Sequence, residues 1–252
     1  MNVLIVNDDG AGARGIRELA EELSSVAHVY VCAPYRQQSG KSHSITIGSH
    51  VFVQEISFPH AEAAMQTTGT PSDCVKIGLQ FFSEQGVSID MVYSGINLGS
   101  NLGVDTLYSG TVGAAMEAAV SGYPAAAVSA GGRHPEHFEA ARALARCVLS
   151  MKEDIPADSL LNINVPDLPE EDLNGVLVTR LGHRNFRDGF RLQDDGGYRL
   201  MGSPQDFTAA DRAYDLAAFA QGYASVTPIS FDQTSTQWLS RLRAEQFVYS
   251  GK

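Results

Sequence analysis

The chain has 252 residues, 44% of them hydrophobic, and a formal net charge of −11 at pH 7. That length and apolar content suffice to bury a substantial core, which excludes a largely disordered chain. With 18 Lys and Arg against 29 Asp and Glu and no basic cluster, a sequence-independent grip on a nucleic acid polymer or an anionic membrane is excluded too.

No segment approaches the roughly 20 apolar residues of a membrane helix. The opening MNVLIVNDDG lacks the basic region and long apolar run of a signal peptide. Cys32, Cys74 and Cys147 are odd in number, far apart and without CxxC spacing, so a reducing, cytoplasmic location is expected.

Residues 3–6 form a continuous apolar run, read as a strand buried on both faces, and Asn7-Asp8-Asp9-Gly10 turns the chain at its end. Ile16, Leu19, Ala20 and Leu23 follow at helical spacing, then a second strand over 28–33 stopped by Pro34. This βαβ unit predicts two parallel strands joined by a right-handed crossover. Residues 34–44 are a polar loop at the end of the second strand, and Ile45, Ile47, Val51 and Val53 predict an extended segment or hairpin. Thr70, Pro71 and Asp73 mark a helix start, with Val75, Leu79 and Phe82 as its buried stripe.

A strand over 89–93 leads into YSGINLGSNLGVDTLYSGTVGAAME at 93–117, where five glycines precede or open a helix over 111–120 that Ser109 or Thr111 is placed to cap. A strand over 125–130, a helix over 137–151 and a strand over 160–165 complete a three-layer α/β domain with a mainly parallel sheet. Beyond Pro166 the pattern changes. Residues 176–181 read as a short strand, 184–206 as hairpins or an arm outside the core, 222–229 as a strand returning to the main sheet, and 235–244 as a helix docking through Trp238, Leu239 and Leu242.

The chemistry falls on strand ends, because parallel strands bring their carboxyl ends to one edge of a sheet. Asp8 and Asp9 are adjacent carboxylates suited to a hard divalent cation, or an Asx turn closing the first strand. Ser39 and Asn97 bring neutral oxygens to the same edge, or serve as loop-forming residues. Ser109, Gly110 and Thr111 at a helix start, with Asn101 from the same loop, offer donors to phosphoryl oxygens, or simply cap the helix. His43 is a candidate proton donor or a bystander. Gly10 and Gly15 make no GxGxxG, no Walker A lysine is present, and adjacent acids differ from the DxD of aspartyl-phosphate enzymes.

VNDDG at 6–10, Ala33-Pro34 with SGKSHSIT at 39–46, GTPSDCV at 69–75 and SGINLGSNLGVDTLYSGTVGAAME at 94–117 closely resemble the SurE (survival protein E) nucleotidases, and DLAAFAQGYASVTPI at 215–229 extends the likeness. The chain departs from that pattern at Arg14, Ile89 and Ala118, none a candidate ligand. The resemblance implies a Rossmann-like core over about 1–166 and a β-rich C-terminal extension over about 167–252 used in homodimer or homotetramer assembly. It implies a phosphomonoesterase acting on nucleoside 5′- and 3′-monophosphates, with one Mg²⁺ or Mn²⁺ per subunit on Asp8, Asp9, Ser39 and Asn97. Asp9 is the candidate for taking a proton from the attacking water, and Asn101, Ser109, Gly110 and Thr111 for positioning the phosphate. The rival expectations are a nucleotide-sensing module without turnover, a broader phosphatase that also cuts polyphosphate, and a purely structural oligomer.

Overall fold

The computed structural model describes residues 1–132, 134–206 and 210–244. Positions 207–209 and 245–252 of the expected extension lie outside the described residues. Its centre is β1 (Asn2–Val6), paired in parallel with β2 (His28–Pro34) on one side and β5 (Met91–Leu98) on the other. Beyond β2 lie β4 (Ala63–Thr67), parallel to it, and β3 (Val53–Ile56), antiparallel to β4. Beyond β5 come β6 (Ala125–Ala130) and β7 (Ser159–Val165), both parallel. β11 (Ala224–Ser230) then runs antiparallel to β7, and β8 (Val176–Val178) pairs in parallel with β11. The chain thus builds one half of the sheet outward from β1, then crosses back to build the other half from β5. The cleft between the carboxyl ends of β1 and β5 is a topological switch point, where open α/β sheets bind ligands.

Alternation along β1 explains its unbroken apolar run. Val3 and Ile5 join the core beneath α1 (Arg14–Ser24) and α4 (Glu139–Ser150), while Leu4 and Val6 join the core beneath α2 (Pro71–Glu84) and α3 (Gly110–Val120). The sheet is therefore the middle of three layers. α1 buries the predicted stripe of Ile16, Leu19, Ala20 and Leu23. α2 starts at a full capping box, in which the Thr70 hydroxyl accepts from Asp73 N–H and the Asp73 carboxylate accepts from Thr70 N–H.

Four expectations need correction. The predicted strand over 89–93 is shifted and longer: β5 continues through Ser94 and Gly95 to Leu98. Gly95, at φ 141°, is needed for close approach as well as conformation, since a Cβ there would lie 2.3 Å from the Val128 carbonyl oxygen of β6. Ile45 and Ile47 lie in an exposed loop, and the extended pairing in this region is the β3–β4 hairpin. The short helix α5 (Asp215–Ala220) has too few turns to show a helical period and is not anticipated. Finally, α6 (Thr236–Ala244) exists as expected, but Trp238, Leu239 and Leu242 stay 55%, 38% and 40% exposed, so among the described residues its apolar face is only partly covered. The polar stretch over 184–206 is a two-stranded antiparallel arm, β9 (Arg184–Leu192) and β10 (Tyr198–Asp206), separate from the main sheet.

Candidate active site

Asp8 lies two residues beyond the end of β1 and its carboxylate is buried at the start of α3. Thr111 donates its hydroxyl to Asp8 Oδ1 at 2.5 Å. Gly110 has no side chain because there is no room for one: a Cβ would sit 2.9 Å from both Cβ and Oδ2 of Asp8. Ser109 caps the same helix by accepting Val112 N–H at 3.1 Å. The helix start read as a phosphate cradle therefore also clasps the first carboxylate, and its unsatisfied N–H groups and partial positive charge face that carboxylate.

Asp9 is half-buried. Its Oδ2 accepts Leu98 N–H at 3.1 Å and its Oδ1 accepts the Gln37 amide at 3.3 Å. The first bond ties Asp9 to the residue after Asn97, so the end of β5 is held beside β1. Asn97 spends its amide nitrogen on the Gly99 carbonyl at 2.8 Å, which leaves its amide oxygen for a ligand. Ser39 is exposed and makes no hydrogen bond to the described residues, yet its place is confined. Gln38 N–H donates to the Asp8 carbonyl at 2.7 Å and Ser42 N–H to the Tyr108 carbonyl at 3.0 Å. Residues 39–41 are thus strung between the turn bearing Asp8 and the residue before Ser109.

Asn101 is buried in a polar network. Its N–H donates to Asn164 Oδ1 at 2.7 Å, its carbonyl accepts from Asn162 at 2.8 Å, and its side chain donates to Ser129 Oγ at 2.9 Å. Nearby, Asp215 accepts N–H groups from Gly103 at 2.8 Å and from Gly182 at 2.7 Å. The structure therefore places Asp8, Asp9, Gly110 and Thr111 together, with Ser109 one residue away, and strings the Ser39 loop from the same turn. Asn101 is directed to Ser129. Sequence reasoning missed Leu98, Gln37, Asn162, Asn164 and Asp215. For Asn162 and Asn164 a signal existed, since two amides at i and i+2 within an apolar strand mark polar groups buried on one face. For Gln37 and the Leu98 N–H none existed.

Burial pushes the Asp8 carboxyl up from 3.8 to about 6; the Thr111 hydroxyl opposes this and the Asp9 charge adds to it. Burial also raises Asp9, against the hydrogen bonds from Leu98 and Gln37. Among the described residues no Lys, Arg or His forms an ion pair with either carboxylate. Two adjacent acids raised by desolvation and lacking a side-chain cation fit a bound divalent ion, which would supply the missing charge. Among the same residues no three His, Cys, Asp or Glu side chains converge, so such an ion would need neutral oxygens alongside the two carboxylates. A cavity of about 400 Å³ lies elsewhere, along the flank of α3 between His43, Met116, Leu181 and Ile229, and does not include the carboxylates.

A family model described as survival protein SurE matches residues 3–188. Among solved structures, the crystal structure of the SurE protein from Aquifex aeolicus is similar with a TM-score of 0.82 and 36% sequence identity, covering 97% of this chain and 99% of that one.

Proposed function

Since the chain belongs to the SurE family, a family of nucleotidases and phosphatases, we propose that it is a divalent-metal-dependent phosphomonoesterase releasing phosphate from nucleoside 5′- and 3′-monophosphates. The observation that carries this reading is the contact between Asp8 and Gly110: a buried carboxylate and the donor-rich start of α3 share one wall. In this reading Asp8, Asp9, Ser39 and Asn97 hold one Mg²⁺ or Mn²⁺, for which an all-oxygen donor set is suited. When bound, the ion supplies positive charge to the phosphate and acidifies a water.

The protein's own groups do the rest. Gly110 and Ser109 orient the phosphoryl oxygens for in-line attack by water, while Asn101, whose side chain donates to Ser129, braces the loop that leads to them. Thr111 acts through Asp8, holding its carboxylate by a short hydrogen bond. Asp9, whose carboxyl is raised by burial, accepts the proton from the attacking water in this reading, and the leaving oxygen takes a proton from solvent as the P–O ester bond breaks.

We further propose that the β9–β10 arm and α6 make the chain a homodimer or homotetramer. Phe190, Leu200, Trp238 and Leu242 are exposed on them, and the cavity along α3 adds uncovered apolar surface nearby. Three free cysteines, two of them buried, suit a reducing compartment and support a cytoplasmic location. Among the described residues no helix is long and apolar enough to cross a membrane.

The test is phosphate release from nucleoside 5′- and 3′-monophosphates, sugar phosphates and polyphosphate with Mg²⁺ and Mn²⁺ in turn. The expected result is metal-dependent release, greatest with nucleoside monophosphates. Equal turnover of all esters would make the protein a broader phosphatase, and nucleotide binding without release would make it a sensor.

A further inference from the structure

We infer that His43 and Glu117 form a latch that sets the position of Ser39; the inference rests on the reading of Ser39 as a cation ligand. Ser39 has nothing of its own to hold it. Its side chain is exposed and bonded to none of the described residues, and the next residue is Gly40 at φ 72°, where an added Cβ would meet open space. Upstream the chain is fixed by Gln38 N–H on the Asp8 carbonyl. The downstream end therefore decides how freely residues 39–41 move relative to the turn bearing Asp8, and an unfixed serine loses affinity to the entropy of ordering it.

That downstream end is built onto α3. Ser42 donates its N–H to the Tyr108 carbonyl at 3.0 Å and its hydroxyl to the Leu107 carbonyl at 2.6 Å. Gly113 lets the loop lie directly on the helix, since a Cβ there would sit 2.4 Å from the Ser42 carbonyl oxygen and 2.9 Å from His43 Cα. Ser42 itself is at φ 54°, a left-handed conformation that needs such contacts to persist. The His43 ring then reaches along α3 and closes the latch, with Nε2 2.7 Å from Glu117 Oε2.

Two features separate this role from others. Glu117 lies seven residues beyond Gly110, about 10 Å along the helix, so the ring is drawn away from Asp8 and is not the proton donor that a histidine near Ser39 first suggests. Glu117 is also only 4% exposed and holds Lys76 of α2 at 2.6 Å through its other oxygen. The buried carboxylate therefore keeps a charged partner when His43 is removed, and the fold is expected to survive.

The experiment measures Mn²⁺ binding to the full-length protein by electron paramagnetic resonance of the free ion, with folding checked by circular dichroism. Asp8→Asn is expected to abolish binding. Ser39→Ala and His43→Ala are each expected to weaken it about 5- to 10-fold, the scale of one lost hydrogen bond or ligand. The double variant Ser39→Ala/His43→Ala is expected to bind no more weakly than Ser39→Ala alone, because the latch works through that serine. His43→Gln, which keeps an N–H for Glu117, should recover most of the affinity. Wild-type binding by His43→Ala, or additive losses in the double variant, would overturn the latch while leaving the cation site standing. Wild-type binding by both Asp8→Asn and Ser39→Ala would instead overturn the cation-site reading itself. If His43→Ala does not fold, Glu117→Ala removes the acceptor and reads the same latch from the helix side, and an unchanged Mn²⁺ affinity there would reject it.

Discussion

The carboxyl edge of the main sheet and the C-terminal arm treat their side chains in opposite ways. At the sheet edge, polar loops rest on a layered core in which Val3, Leu4, Ile5 and Val6 are fully buried, and backbone contacts hold the turn after β1, the end of β5 and the start of α3 together. On the arm, Phe190 and Leu200 face each other across β9 and β10 and are 69% and 55% exposed. The difference teaches where each part finds its stabilisation. The site is held by contacts within one chain, whereas the arm leaves apolar area uncovered that is worth about 25 cal/mol per Å² once something buries it.

The largest expected effect tests the first half of that contrast. Asp8→Asn or Asp9→Asn should lower metal-dependent phosphate release by about 10³-fold or more, the scale of removing electrostatic stabilisation, with an unchanged circular dichroism spectrum. Near-normal turnover in both variants would break the assignment. A smaller loss, about 10- to 100-fold, is expected from Gly110→Ala, since the new methyl group would press on Asp8 Oδ2 and misplacing a group by an ångström costs this much. Full activity would mean that the contact with α3 does not position Asp8.

The arm is tested by Phe190→Asp/Leu200→Asp, which puts two like charges at directly opposed exposed positions. The molar mass from light scattering is expected to fall by a factor of two or more while the fold is kept. An unchanged mass would remove the arm from assembly.

The last test concerns stability in chelator. The folded pKa of Asp8, about 6, lies above its unfolded value of 3.8, so between these values the native state keeps a proton that the unfolded state has lost. The contribution of Asp8 to stability should therefore be fully present below about pH 4 and be lost as pH rises to about 6, by up to about 3 kcal/mol for a rise of some two pKa units. Asp8→Asn should lack this slope, and saturating Mn²⁺ should reverse the loss above pH 6. A flat profile of melting temperature across that range would show that the burial of Asp8 is already compensated.

Local chemistry made much of the molecule legible. The capping box at Thr70, the stripe of α1 and the strand over 125–130 depend on neighbours in sequence, and each forms as its residues predict. The strand ends bearing Asp8 and Asn97 were legible as candidates because parallel strands place their carboxyl ends on one edge. Glycine was ambiguous. In β5 it reads as a turn, yet Gly95 stands inside a strand because β6 passes too close for a side chain, and proximity of that kind has no local signature. The same holds for α6, whose apolar side chains announce a docking face without saying that the described residues cover it only in part.

The sequence by itself determined most of the core elements from β1 to β7, the order in which they alternate, and the residue types available at each strand end, since these follow from periodicity, capping and turn chemistry over a few neighbours. Only the tertiary structure decided that Thr111 holds Asp8, that Leu98 holds Asp9 and that Glu117 draws His43 away from the carboxylates. Those partners are 103, 89 and 74 residues apart, and what joins them is the register of a folded sheet.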